Sequence, residues 1–224
     1  MKLVSVNIGK IQAQPWRDGT LSGLHKQAVA EVVSVGKQGL AGDEQADRKN
    51  HGGEDKAVFV MPESSYDLFK IGQPFGFLGE NLTISGLDES QVCLGDRFQI
   101  GNVLLEVTQP RSPCWKLGAQ AESLGDWSAT DFLKTYSESG RVGFYCRVLA
   151  EGELKADLPV TWLTRDDDQA KTPYKISIEA LFLAKQFHQT DQYWSSLQAV
   201  VNHPALSKSW QTAISQLISR REID

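Results

Sequence analysis

The sequence predicts a mainly β protein: a closed or partly closed β-barrel with short helices, followed by a C-terminal module of three helices. Three observations predict it. The first 165 or so residues fall into short apolar runs separated by glycine-containing turns. A charged stretch, Arg165-Asp166-Asp167-Asp168-Gln169-Ala170-Lys171-Thr172, then runs into Pro173, which cannot continue a helix. Beyond it, apolar residues recur at helical spacing. The implied boundaries are 1–165 for the barrel and 172–224 for the helical domain.

Taken in order, strands are expected at 3–8, 28–35, 57–60, 81–84, 97–100, 103–108, 142–149 and 160–164. In the sixth, Val103, Leu105 and Val107 alternate with Leu104, Glu106 and Thr108. In the seventh, Val142, Phe144, Cys146 and Val148 share one face, which places Cys146 in the core. Short helices are expected near 64–69 and 127–136, the second ending before Gly140. In the tail, Ser177 can cap a helix carrying Ile178, Leu181, Phe182 and Lys185. Thr190 precedes a second, with Tyr193, Trp194, Leu197, Val200 and Val201, and Ser207 a third, with Trp210, Ile214, Leu217 and Ile218.

Three short helices also suit a DNA-binding unit. From residue 172 onward, however, Lys175, Lys185, Lys208, Arg220 and Arg221 face Glu179, Asp191, Glu222 and Asp224, so the tail lacks a basic stripe and reads as a packing or dimerisation module. A net charge of −5 likewise argues against a nucleic-acid or anionic-membrane surface. No apolar run approaches the roughly 20 residues that span a bilayer. The amino terminus alternates like a strand rather than a signal peptide. Cys93, Cys114 and Cys146 are odd in number and widely spaced, which suits neither a disulfide framework nor a zinc or iron–sulfur motif. A reducing cytoplasm is the expected location.

The densest chemistry lies in Thr108-Gln109-Pro110-Arg111-Ser112-Pro113-Cys114-Trp115-Lys116-Leu117. Two prolines are expected to stop the strand and leave a rigid turn presenting Cys114 between Arg111 and Lys116. Nearby cations favour the thiolate, which is both nucleophile and metal ligand. A second segment, residues 39–57, interleaves Arg48, Lys49, His51 and Lys56 with acids and with Gly42, Gly52 and Gly53. It suits a loop around an anion, or equally a solvated hairpin. In a third, Glu80 and Asn81 precede a strand and either meet a ligand or satisfy local backbone. Arg141, Tyr145 and Arg147 share one strand face, where two arginines either clamp a phosphate or form an exposed polar face.

Together, Gly42-Asp43-Glu44-Gln45-Ala46-Asp47, His51-Gly52-Gly53-x-Asp55-Lys56-Ala57, Gly79-Glu80-Asn81-Leu82 and Gln109-Pro110-Arg111-Ser112-Pro113-Cys114-x-Lys116-Leu117 resemble MOSC-domain proteins of the YiiM type. The resemblance spans nearly the whole chain, tail included. It implies a β-barrel core, a molybdenum cofactor (molybdopterin) and reduction of N-hydroxylated compounds such as 6-N-hydroxylaminopurine, a detoxification of base analogues. Carried over, Cys114 is the metal ligand or sulfur carrier, and Lys49, His51, Asn81, Arg111 and Lys116 fall in the segments around the cofactor. Cys114 and His51 are the catalytic candidates, His51 as proton donor because imidazole titrates near neutrality. Thiolate is a soft ligand suited to such a metal. With no dinucleotide fingerprint and no iron–sulfur spacing, electrons must come from a separate, flavin-containing reductase. The competing readings are a sulfur carrier, a cofactor-binding or delivery protein, and a cysteine hydrolase, the last lacking a convincing His–carboxylate partner.

Overall fold

The computed structural model describes residues 1–17, 19–47, 52–163 and 174–221. Eight strands form one mixed sheet. Its first strand, β1 (Lys2–Gly9), pairs antiparallel with β8 (Leu82–Ser85) and, through Asn7–Gly9, with β4 (Lys26–Ala28). β7 (Val58–Pro62) runs parallel to β8 and antiparallel to β11 (Phe144–Ala150). β10 (Val103–Pro110) lies between β11 and β9 (Arg97–Ile100), and β13 (Val160–Leu163) covers the other side of β9. Two hairpin-like additions flank it: β2 (Gln12–Ala13) with β3 (Leu21–Ser22), and β5 (Val33–Gly36) with β6 (Gly39–Leu40) and β12 (Gly152–Leu154).

The expected barrel is corrected here, since the ladder is open, with β13 and β4 at its margins and no closed barrel among the described residues. The reason lies in β1. Its first residues exchange backbone bonds with the approach to β13 (Leu3 N–H to Leu158 O, 3.0 Å; Val160 N–H to Met1 O, 3.1 Å), but its last three turn to β4 instead. The expected strand 28–35 is also split. β4 ends at Ala28, Val29 N–H bonds to Val6 O, and Val33 starts a different sheet.

β7 shows why the sheet is buried on both faces. Val58 and Val60 enter a cluster with Leu3, Val6, Phe98, Leu105 and Phe144, whereas Phe59 and Met61 enter a second with Phe69, Phe132, Tyr136, Leu181 and Trp210. Alternation by two residues does this without any polar position in between. Cys146 lies fully buried in the first cluster, as its strand face predicts. Cys146→Ser puts a hydroxyl in that apolar environment and is expected to cost about 1–3 kcal/mol in urea unfolding. The rate at which a thiol reagent modifies Cys114 should not change; an altered rate would place Cys146 in the site.

The helices are α1 (Ser64–Leu68), α2 (Trp115–Glu122), α3 (Ala129–Glu138), α4 (Ile178–Gln186), α5 (Asp191–Val200) and α6 (Lys208–Arg221). Ser128 and Ser177 cap α3 and α4, accepting from Asp131 N–H and Ala180 N–H, and Ser207 Oγ accepts from Trp210 N–H at the start of α6. The three tail helices are present, but no separate three-helix module is established. Leu181, Leu197, Val200, Trp210 and Ile214 share the second cluster with Leu117 of α2 and Phe132 and Tyr136 of α3. Ser207 N–H also bonds to Thr108 O of β10. Among the described residues no helix is long and apolar enough to cross a membrane.

Candidate functional site

Four of the expected site residues, Asn81, Arg111, Cys114 and Lys116, line one pocket of about 630 Å3 of empty space, counted to the solvent. Lys49 and His51 lie outside the described residues, as do the acidic residues 166–168.

The cysteine segment departs from expectation in two ways. β10 runs through Pro110, which stands opposite Phe144. Pairing with β9 ends at Glu106, so beyond it one side of β10 is free of a ladder and tolerates a proline. The predicted rigid turn is then only Arg111-Ser112-Pro113, because Cys114 is already the N-cap of α2. That helix is hidden in the sequence by its prolines and by Gly118, where a Cβ would stand 2.8 Å from Leu133 Cδ1 and 2.9 Å from Ala129 O. The missing side chain lets α3 close on α2 and fixes the direction in which Cys114 is presented.

Arg111 is the electrostatic centre. It is 4% exposed. Its backbone N–H bonds to Gly143 O, and its guanidinium donates to the Tyr136 hydroxyl at 3.3 Å and lies 5.2 Å over the Phe59 ring. Burial works against its charge, yet Tyr136, Cys114 and Tyr145 around it outweigh that and raise its pKa above the ordinary value. Among the described residues no carboxylate pairs with it. Tyr145, packed 5.2 Å from Phe59, also lines the pocket, with its own pKa raised mainly by burial against the pull of Arg111.

A second cation, Lys26, was not singled out by the sequence. Its ammonium sits 2.5 and 2.6 Å from the two Asp43 oxygens, with both side chains below a tenth exposed. Asp43 also accepts from Gly9 N–H (2.7 Å) and Asn81 Nδ2 (3.0 Å). Asn81 Oδ1 in turn accepts from Phe59 N–H. Strands β1, β4 and β7 are thereby tied together at the pocket floor. Burial lowers the Lys26 pKa, and Asp43 offsets part of that. Gly79, at φ +92°, lines the wall where a Cβ would strike Leu24 Cδ1 at 2.5 Å. Lys116 donates to Leu21 O at 2.9 Å, holding β3 against the start of α2.

Other candidates resolve as structural. Glu80 is fully buried, its Oε1 accepting from the Tyr66 hydroxyl, Gly76 N–H and Thr83 Oγ1, and burial raises its pKa. One of its oxygens thereby holds the turn at Gly76 against Tyr66 and Thr83. The arginine clamp is not formed: Arg141 pairs with Glu89 at 2.9 Å, and Arg147 pairs with Asp55 at 2.7 Å and Glu106 at 3.4 Å. The described part of the loop 39–57 brings Glu44, Gln45, Ala46 and Asp47 to the pocket wall rather than cations.

The MOSC domain pattern matches residues 47–161, which contain Cys114 and Arg111. YiiM of Escherichia coli (strain K12) is 36% identical over 219 residues, covering 92% of this chain and 88% of that protein. A protein named reductase from Gibberella moniliformis is 32% identical over 160 residues, 68% of this chain and 27% of its own length. The crystal structure of YiiM from Geobacillus stearothermophilus superposes with a TM-score of 0.74 at 32% identity, covering 96% of this chain and 97% of that one. With half the chain matched by the domain pattern, a cysteine and a buried arginine sharing one pocket, and YiiM proteins similar along nearly its whole length, the chain belongs to the MOSC-domain family.

Proposed function

We propose that the chain is an oxidoreductase that uses a molybdenum cofactor at this pocket to reduce N-hydroxylated bases, such as 6-N-hydroxylaminopurine, to amines. The observation that carries it is Arg111, a buried guanidinium with no carboxylate partner among the described residues, beside a partly buried thiol. A buried unpaired charge costs stability unless a ligand completes it. An anionic, phosphate-bearing cofactor does so. A lone thiolate is not a metal site by itself, but it fits a soft metal that arrives with other sulfur ligands. MOSC membership and a relative named reductase support the same reading.

Bound there, the cofactor supplies the two-electron removal of the hydroxyl oxygen; R–NHOH, two electrons and two protons give R–NH2 and water. The chain's own groups position and protonate. Cys114 would ligate the metal, and Arg111 would hold the anionic group. Lys26 would orient the ring through a hydrogen bond, with Asn81 holding its partner Asp43 in place. His51 is the proposed proton donor. The electrons are assigned to a separate flavin-containing reductase.

Arg111→Met separates binding from folding. It should lower molybdenum content by about 10–100-fold, the worth of a charge-assisted bond of about 1.5–3 kcal/mol. The unloaded variant should melt no lower than unloaded wild type, since an unpaired buried charge is gone. A large fall in melting temperature instead would make Arg111 a structural residue. The function is tested by molybdenum and pterin content of wild type from cofactor-competent cells, followed by turnover with a flavin reductase. Near-stoichiometric cofactor with turnover supports the reductase. Cyanide-labile sulfur without metal would favour the sulfur carrier.

A further inference from the structure

Cys114 is reached from two sides. Besides the pocket above, it lines a groove of about 750 Å3 against the tail helices, walled by Trp115, Leu133, Phe182 and Trp210. A further cavity of about 540 Å3 adjoins, sharing Ser112, Lys185 and Trp210 with the groove and Tyr145 with the first pocket. Cys114 thus borders both the pocket and the groove, and Tyr145 both the pocket and the adjoining cavity.

The walls of the groove and of the adjoining cavity differ in chemistry. Next to Cys114 they are apolar and aromatic, with Trp115 steadied by Arg17 lying 4.0 Å over its ring. Such a slot suits a planar heterocycle. Farther on, the groove and the adjoining cavity share Lys185, and Lys56 lines the cavity's wall. Lys185 Nζ lies 4.5 Å over the Trp210 ring, and among the described residues no carboxylate pairs with it. Burial depresses its pKa, and the ring face of Trp210 stabilises the charge.

Resting on the reductase reading, we propose that the substrate is an N-hydroxylated nucleotide rather than a free base. Its ring lies in the groove beside Cys114 and its phosphate at Lys185. Lys185 and the tail helix carrying it are then specificity elements: they recognise the charged end and leave the reaction to the cofactor that Cys114 would hold.

The test uses the product pair, adenine and adenosine 5′-monophosphate, titrated calorimetrically into the purified protein with its molybdenum content measured on the same sample. Wild type should bind the monophosphate at least tenfold more tightly than adenine. Lys185→Met, which keeps the packing on Trp210, should abolish most of that preference while changing adenine affinity less than twofold, and Lys185→Arg should retain it. Equal affinities in wild type, no binding of either, or a preference that survives Lys185→Met would each overturn the proposal. The last of these would mean that the phosphate binds elsewhere. Because binding is read without turnover, a protein that binds as expected but holds no molybdenum would sink the reductase reading, and with it the N-hydroxylated substrate, while the nucleotide site at Lys185 would stand.

Discussion

Cys114→Ser is expected to abolish both molybdenum loading and N-hydroxylamine reduction while leaving the far-UV spectrum and the melting temperature of the unloaded protein close to wild type. The expectation follows from what the side chain does and does not hold. Cys114 is partly buried at the pocket wall, and its backbone, not its sulfur, makes the N-terminal bond of α2, accepting from Leu117 N–H at 3.0 Å. Serine can occupy the same N-cap position, where it is a preferred residue. What it cannot do is replace a soft thiolate as ligand. Metal content by elemental analysis and turnover with a flavin reductase should therefore fall together, to background. A variant that kept full activity would remove Cys114 from the chemistry, whatever the pocket binds.

Asp43→Ala should cost the most stability of any change at the site, about 3–5 kcal/mol in chemical unfolding. One carboxylate here satisfies the Lys26 ammonium, Gly9 N–H and the Asn81 amide, and its side chain is 5% exposed. Removing it leaves a buried cation and two donors without an acceptor. Asp43→Ala with Lys26→Met should recover part of the loss, because the stranded charge goes too. The pH dependence provides a second reading. Burial already holds the Lys26 pKa below its ordinary 10.5, and without Asp43 it falls further. A base whose folded pKa is depressed binds more protons unfolded than folded across that interval, so stability rises with pH there. The deficit of Asp43→Ala should therefore shrink as pH rises towards 10.5 and deepen as pH falls. A flat profile, or a double variant no better than Asp43→Ala, would mean that Lys26 is solvated in the variant and the network is not tightly buried.

Much of the fold was legible because period-two alternation survives any tertiary arrangement. Residues 97–100 form the expected strand, and residues 3–8 and 103–108 sit inside β1 and β10. Ser128, absent from the sequence reading as a cap, shows how a helix boundary shifts by two residues once a side chain finds the Asp131 N–H. The helix at Trp115–Glu122 was not legible, since Gly118 reads as a breaker until α3 is seen to need the space. In the site, Asn81, Arg111, Cys114 and Lys116 stood out by motif and do share a pocket. Lys26 carried no local signal at all: one lysine at the start of a three-residue strand looks like any exposed lysine until Asp43, seventeen residues on, is folded against it.

By itself the sequence determined what is encoded locally and along the chain: the strand periods, the cap at Ser177, the core position of Cys146, and the family with its cysteine motif. Only the tertiary structure decided the open sheet, the pairing of Arg141 and Arg147 with carboxylates, and the contrast between Arg111, left without one among the described residues, and Lys26, held by Asp43. The physical reason is the same in each case. Whether a charge is satisfied, and whether a strand finds a last partner, depends on groups far away in the chain that meet only when burial brings them together.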